Sequence, residues 1–439
     1  MLRGKGFGAV WLALVCLLAL TAGCQQDAAA PPSTPPTATA SPTTAQTTPI
    51  ATLTPAPSET PAPTVSRRTL RLWLVEPLAP GGAIPAVLLE QLEAFRARHP
   101  TVIFDVRVKL PSGADGVLEV LRSTLAVAPD ALPDLVLLSR ADLVSAASAN
   151  LVQRLEGRLP EEVVSDWFPV AREMSTFNGE LYGASYVLDG QHLVFRQSAV
   201  ETPPVVLEDL LDVPPPFLFP AGNIDTIVGQ YMAGGGRLID DEGRAVLDPD
   251  PLLAVLEFYQ RAIQENVVPL TVLEYDNADG YVEDYLSGLS TIVQMNASTY
   301  LRRRNEMGSS NVALVPAVDG PSVTVITGWS WAMVTTDPDR QALVVELLSW
   351  LMQPERLGAF SRASRWLPSQ RTALQIWGDE AYGAFAEALL AEATLRPTSA
   401  ARLTAARAMQ DALRSVLLER LTAQEATNAA VASVTQPDS

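Results

Sequence analysis

The stretch "LRLWLVEPLAPGGAIPAVLLEQLEAFRARHPTVIFDVRV", residues 70–108, decides the fold. Residues 70–75 are apolar except for Arg71, the pattern of a buried strand. Over residues 84–99, Val87, Leu88, Leu92 and Phe95 recur at helical spacing, and Pro100 stops the helix. Residues 102–108 return to strand. The alternation then continues outward, with a helix near 116–127, a strand "PDLVLL" at 133–138 and a short helix at 141–149. Strands separated by helices at this spacing imply a parallel sheet with right-handed crossovers, so the expected fold class is α/β. Ligands of such sheets sit beyond the carboxyl ends of the strands. Here those ends fall at residues 73–76 and 139–142.

The remainder is richer in helix. Asp248-Pro249-Asp250-Pro251 reads as a helix start, with Asp250 as cap and Pro251 in the first turn. That helix carries Leu252, Leu256, Tyr259 and Ile263 on one side. "STIVQM" (290–295), "VALVP" (312–316) and "VITGWSWAMV" (325–334) read as strands, and 340–352 as an amphipathic helix. One long closing helix, 399–430, is expected to set Leu403, Met409, Leu413, Val416, Leu417 and Leu421 against a core. In a regular strand, Trp329 and Trp331 would share a face. The open question is whether those rings fill a core or form a flat surface for a ligand.

Composition narrows the function. The 439 residues give room for two or three domains of about 100–200 residues each. A net charge of -18 argues against nucleic acid or an anionic membrane surface as partner. The two cysteines, Cys16 and Cys24, both lie near the N-terminus, so the folded part has no disulfide and no cysteine metal site. His99 and His192 are the only histidines, which removes most zinc sites and most histidine acid–base chemistry. No Gly-x-Ser-x-Gly elbow is visible. Neither a cofactor nor an enzymatic activity is expected, although paired carboxylates for glycoside cleavage are compatible with so many acidic residues. "IDDEG" and "YDNADG" lack the alternating spacing of a calcium loop and read as turns. Tyr281 and Tyr285, one helical turn apart, read as helix packing.

Arg3 and Lys5 precede an apolar run, 7–22, too short to span a bilayer and of signal-peptide type. It ends in Leu20-Thr21-Ala22-Gly23-Cys24, which resembles the lipobox of bacterial lipoproteins, with Thr21 where leucine is usual. The resemblance implies a signal peptide over 1–23, lipidation at Cys24 and anchoring to the outer face of the cytoplasmic membrane. The segment 24–66 is dominated by Pro, Thr, Ala and Ser, a composition that cannot bury apolar surface. It reads as a tether, with a reach on the order of 100 Å in polyproline geometry.

A lipobox, a tether, alternating strands and helices, then a helical second half resemble the extracellular solute-binding proteins of ABC importers, the sugar-binding class that includes maltose-binding protein. The residues that carry the likeness are "LRLWLVEP", "LEQLEAFRARHPTVIFDV", "PDLVLLSRADL", "NLVQRLEG", "NGELYGASYVLDGQHLVFRQSAV" and "GWSWAMVTTDPDRQALVVELLSWLMQPE" with "LPSQRTAL". The resemblance covers roughly residues 70–434. The resemblance implies a two-lobed, periplasmic-binding-protein-like (type II) fold. One lobe would take 67–185 with 318–364, the other 190–314 with 368–434. Hinge passages would lie near 185–191, 325–329 and 366–368. It further implies a monomer that closes over a carbohydrate and delivers it to the permease subunits of an ABC transporter. The loop "PPVVLEDLLDVPPPFLFPAGN" departs from the family pattern and is not expected to touch ligand. Alternatives are a ligand-sensing lipoprotein and a binder of peptide, polyamine or phosphorylated solutes.

Sugars need aromatic faces for their C–H patches and planar charged groups for their hydroxyls. On that basis, and by position in the family pattern, the candidate ligand residues are Trp73 and Glu76 after the first strand, and Arg140 and Asp142 after the third. The crossing segment adds Tyr186 and Asp189, and the strand at 290–295 is followed by Asn296 and Tyr300. Trp329, Arg365 and Trp366 complete the set, with Gly328 giving backbone access to ligand and Trp331 assigned to the core.

Overall fold

The computed structural model describes residues 68–435; the signal segment 1–23, Cys24 and the tether 24–66 lie outside the described residues. The first sheet follows the alternation seen in the sequence. Strand Arg68–Val75 pairs in parallel with Val102–Lys109 on one side and Leu135–Leu138 on the other. Helix Ala86–Arg98 connects the first pair and buries Leu88, Leu92 and Phe95. It ends where the His99 ring stacks on Phe95, with 4.2 Å between centroids. All four residues of Leu135–Leu138 are buried, and helix Arg140–Ser148 follows at once, the Asp142 N–H donating to Ser139 Oγ as a cap.

One strand, Gly183–Arg196, belongs to both parts of the sheet. Its 14 residues are buried except Arg196. The first half pairs antiparallel with Val325–Met333, which itself pairs with Leu135–Leu138. The second half pairs antiparallel with Ile292–Asn296 and Ser310–Ala313, and Phe217–Leu218 continues the sheet beyond. Leu367–Pro368 and Thr394–Leu395 add short pairings at the crossing. One buried acceptor of this strand is satisfied across elements: Thr226 Oγ1 (3.0 Å) and Gln294 Nε2 (2.5 Å) both donate to Gln191 Oε1.

The two tryptophans are separated by an irregularity. Trp329 faces Val187 while Ser330 faces Ser185, so Tyr186 is an extra, bulged residue in the partner strand. A bulge adds local twist and breaks the strict alternation of faces. Trp331 is fully buried, 5.9 Å from the Tyr186 ring. Gly328 has a reason within the sheet itself, besides lining the cleft. A Cβ there would sit 2.2 Å from the Val187 carbonyl oxygen and 3.0 Å from Met174 Cε. Gly328→Ala should therefore lower stability by about 1–3 kcal/mol. Urea unfolding at constant m-value measures this, and an unchanged midpoint refutes it.

Two helix boundaries differ from expectation. Helix Pro249–Gln264 starts two residues early, with Asp248 as N-cap and Pro249 in the first turn. The Asp248 carboxylate accepts the Arg237 N–H at 2.8 Å and Nη2 at 3.1 Å instead of capping. The closing helix is two helices, Ala400–Leu417 and Ala423–Thr435. Glu419 takes a left-handed φ of 51°, and Thr422 and Glu425 form a capping box, the Thr422 N–H donating to Glu425 Oε2 at 2.9 Å. Met409, Leu413, Val416 and Leu417 are buried as expected. Leu403 faces a cleft instead.

Candidate functional site

A cleft of about 820 Å³ opens at the carboxyl end of Leu135–Leu138, alongside the strands that cross between the two parts of the sheet. That size is typical of small-molecule sites. One wall is the start of helix Arg140–Ser148, where Ser139, Arg140 and Ala141 lie. The crossing strands contribute Asp189, Thr327, Gly328 and Trp329, and Trp366 comes from the turn before Leu367–Pro368. The opposite wall presents Asn223, Asp225, Asn296, Ser298, Arg302 and Arg396. Farther along it, Arg407 and Gln410 project from helix Ala400–Leu417.

The charged groups are held in fixed positions. Asp189 is 5% exposed and accepts from Ser298 Oγ at 2.7 Å, Ser298 N–H at 3.0 Å, Gly190 N–H at 3.1 Å and Asn296 Nδ2 at 3.2 Å. Burial pushes its pKa up to about 6, with the Ser298 hydrogen bonds, nearby Arg302 and Asn296 opposing. Burial also raises the Asp225 pKa against the pull of Arg396. Arg396 Nε donates to Asp225 Oδ1 at 2.8 Å and Nη2 to Asn223 Oδ1 at 2.5 Å, while its backbone N–H donates to Ile326 O at 3.1 Å. The guanidinium is thereby fixed against both the crossing strand and the start of helix Ile224–Ala233. Arg140 Nη1 donates to the Met174 and Thr176 carbonyls, and burial lowers its pKa. Trp329 and Trp366 are 7% and 8% exposed, each lining the cleft. Such a set offers apolar ring faces beside planar donors and acceptors. Among the described residues no three His, Cys, Asp or Glu side chains converge to hold a metal ion.

Of the candidates from sequence, Arg140, Asp189, Asn296, Trp329 and Trp366 come together in this cleft. The other six lie elsewhere. Trp73 is 2% exposed inside the first sheet, with Lys109 Nζ 4.5 Å over its ring. Glu76 opens a short turn and accepts the Gly81 N–H at 3.5 Å. Asp142 accepts from Ser139 Oγ at 2.9 Å within the helix cap. Tyr186 is fully buried beside Phe360, 4.6 Å between centroids, because the bulge turns it into the core. Tyr300 stacks on Tyr382 at 5.3 Å, in an aromatic cluster with His192. Arg365 is exposed and ends helix Pro354–Ser364 in a left-handed conformation.

Of the far wall, only Asn296 was legible in the sequence. Gly222 and Asn223, the end of the proline-rich loop set aside as remote, line the cleft. So do Asp276, Asn277 and Asp279 of "YDNADG", a segment whose composition reads as a turn. Gly222 permits this approach, since a Cβ would lie 2.4 Å from Asp276 Oδ1. Arg396, Arg407 and Gln410 carried no local motif at all.

No family model matches the sequence, and no curated protein sequence matches it either. Solved structures do. The sugar-binding protein MalE from Xanthomonas citri superposes with a TM-score of 0.71 at 18% identity, covering 84% of this chain and 96% of that one. The cyclic alpha-maltosyl-1,6-maltose binding protein from Arthrobacter globiformis gives 0.69 at 16% identity, covering 84% and 98%. An ABC transporter solute-binding protein from Thermotoga lettingae, bound with alpha-D-tagatose, gives 0.63 at 17% identity, covering 84% and 98%. These likenesses span nearly the whole of the neighbours and establish the fold: mixed α/β, of the two-lobed periplasmic-binding-protein type.

Proposed function

We propose that the chain is a lipid-anchored, extracytoplasmic solute-binding protein that captures a mono- or oligosaccharide in this cleft and delivers it to an ABC importer. The observation that carries the reading is the cleft itself. Two indoles, Trp329 and Trp366, line the same cleft as fixed planar groups, Asp189, Asn296 and Arg396, on a fold shared with sugar-binding proteins. On this reading the lobes take 67–185 with 318–364 and 190–314 with 368–434, and the crossing strands serve as hinge. A ligand that touches both walls favours the closed arrangement, because its differential affinity alone sets the shift.

The two histidines support binding without chemistry. His99 Nε2 pairs with Glu346 at 3.2 Å on the surface. His192 is buried with its pKa lowered to about 4, Nδ1 lying 3.0 Å from Leu193 O. Thermal-shift screening of a sugar panel tests the reading, since a ligand bound to the native state alone raises the melting temperature. A panel without any shift, or release of cleaved sugar, overturns it. Cys24 carries the anchor. The expected result is a mature chain starting at Cys24 with a diacylglycerol mass, and a soluble chain for Cys24→Ala. Mass spectrometry of an unmodified N-terminus at another residue refutes the anchoring.

A further inference from the structure

The cleft's four guanidiniums and four carboxylates are not matched one to one. Arg396 closes on Asp225 at 2.8 Å, and Arg302 lies 3.7 Å from Asp279 while donating to Thr299 Oγ1 at 2.9 Å. Asp189 is enclosed by four donors. Asp276 is exposed at the rim. Two cations remain. Arg140, on the first wall, has only the Met174 and Thr176 carbonyls as partners, and no carboxylate within ion-pair distance among the described residues. Burial works against its charge, with Glu173 the one acid opposing that from farther away. Arg407, on the opposite wall, makes no hydrogen bond or ion pair among the described residues although it lines the same cleft. In a chain of net charge -18, this cleft holds as many guanidiniums as carboxylates, and two of those guanidiniums have no ion-pair partner among the described residues.

Around Arg140 the backbone adds to the effect. It is the first residue of a 9-residue helix, and Ser139, Arg140 and Ala141 all line the cleft. Ser139 Oγ caps the Asp142 N–H, and the N–H groups ahead of it and the positive end of the helix dipole favour an anion there, beside Asp142 in the first turn. A guanidinium offers a planar fork that suits a carboxylate or a phosphate. Hydroxyl recognition alone needs no unpaired cations, since the ion-paired Arg396 and the hydrogen-bonded Asp189 already present planar groups.

We propose that the solute is a sugar bearing an anionic group, a carboxylate or a phosphate, gripped by Arg140 from one wall and Arg407 from the other. The proposal rests on the carbohydrate reading above and narrows it to acidic sugars. Contact with both walls would also tie recognition of the charge to closure.

Titration calorimetry on the full chain in mild detergent tests it with three probes: trigalacturonate for the carboxylate, glucose 6-phosphate for the phosphate and maltotriose as neutral control. One acidic probe should bind at least tenfold tighter than maltotriose, and which one does identifies the group. The preference should shrink between about 50 mM and 500 mM salt. Arg407→Gln should remove about tenfold of the preference, with Arg407→Lys retaining part of it. Because Arg407 is exposed and has no partner, the unliganded melting temperature should not change, so loss of fold does not confuse the result. Equal or tighter binding of maltotriose, or a preference that survives Arg407→Gln, overturns the acidic-sugar proposal and leaves the carbohydrate reading standing. Failure of all three probes together with a neutral and acidic sugar panel overturns both.

Discussion

Trp329→Ala weakens sugar binding by about tenfold while the chain still folds. An indole face that covers the C–H patch of a sugar ring contributes its buried area, plus about 0.5–1.5 kcal/mol from aromatic geometry. With only 7% of Trp329 exposed, a total of about 1.4 kcal/mol follows, one decade of affinity. Trp329 lines the cleft, whereas Trp331, two residues on, is fully buried against Tyr186. Truncating the second should therefore give the opposite outcome. Trp331→Ala costs about 3–5 kcal/mol of stability, and the molecules that remain folded bind sugar as before. Trp329→Phe keeps part of the ring surface and should recover part of the affinity. Calorimetry, with urea unfolding of the same variants, separates the two roles. Unchanged affinity in Trp329→Ala would remove this indole from the site.

How much of this was legible follows from where the information sits. The first sheet could be read residue by residue, because each strand and helix there carries its own apolar period and its own stop, such as Pro100 after helix Ala86–Arg98. The break in the closing helix was also local: Thr422 and Glu425 are a capping box written three residues apart, overlooked because the apolar spacing ran on past it. The bulge at Tyr186 is different. It depends on the register between two strands about 140 residues apart, which no single segment encodes. The same holds for the far wall of the cleft. Arg396 reaches the site because Thr394–Leu395 pairs with Val325–Ile326, and Arg407 because its helix lies across the cleft. Candidates chosen by their place after a strand reach the cleft where the chain itself delivers them, as with Arg140. Trp73 failed that rule, since a strand paired on both sides buries its last residues as core and Lys109 covers the ring.

Asp189 should make the protein more stable on mild acidification, the reverse of an ordinary paired carboxylate. Its pKa rises from 3.8 to about 6 in the folded chain because burial outweighs its hydrogen bonds. Between those values the native state binds more protons than the unfolded state, so stability falls as pH rises through the window, by about 3 kcal/mol in all. His192 slopes the other way. Its pKa falls from 6.5 to about 4, so between those values the unfolded state binds more protons and stability rises with pH by a similar amount. In the native protein the two contributions nearly cancel between about pH 4 and 6. Asp189→Asn removes only the first. The stability difference between native protein and variant should therefore move by about 3 kcal/mol toward the native protein from pH 7 to pH 4, measured by urea unfolding at fixed salt. A difference independent of pH would mean that the Asp189 carboxyl is solvated like a surface group. The same carboxylate lines the cleft, where a bound hydroxyl that donates to it favours the charged form. Ligand binding near pH 6 should then release protons, which calorimetry in buffers of different ionisation enthalpy detects directly.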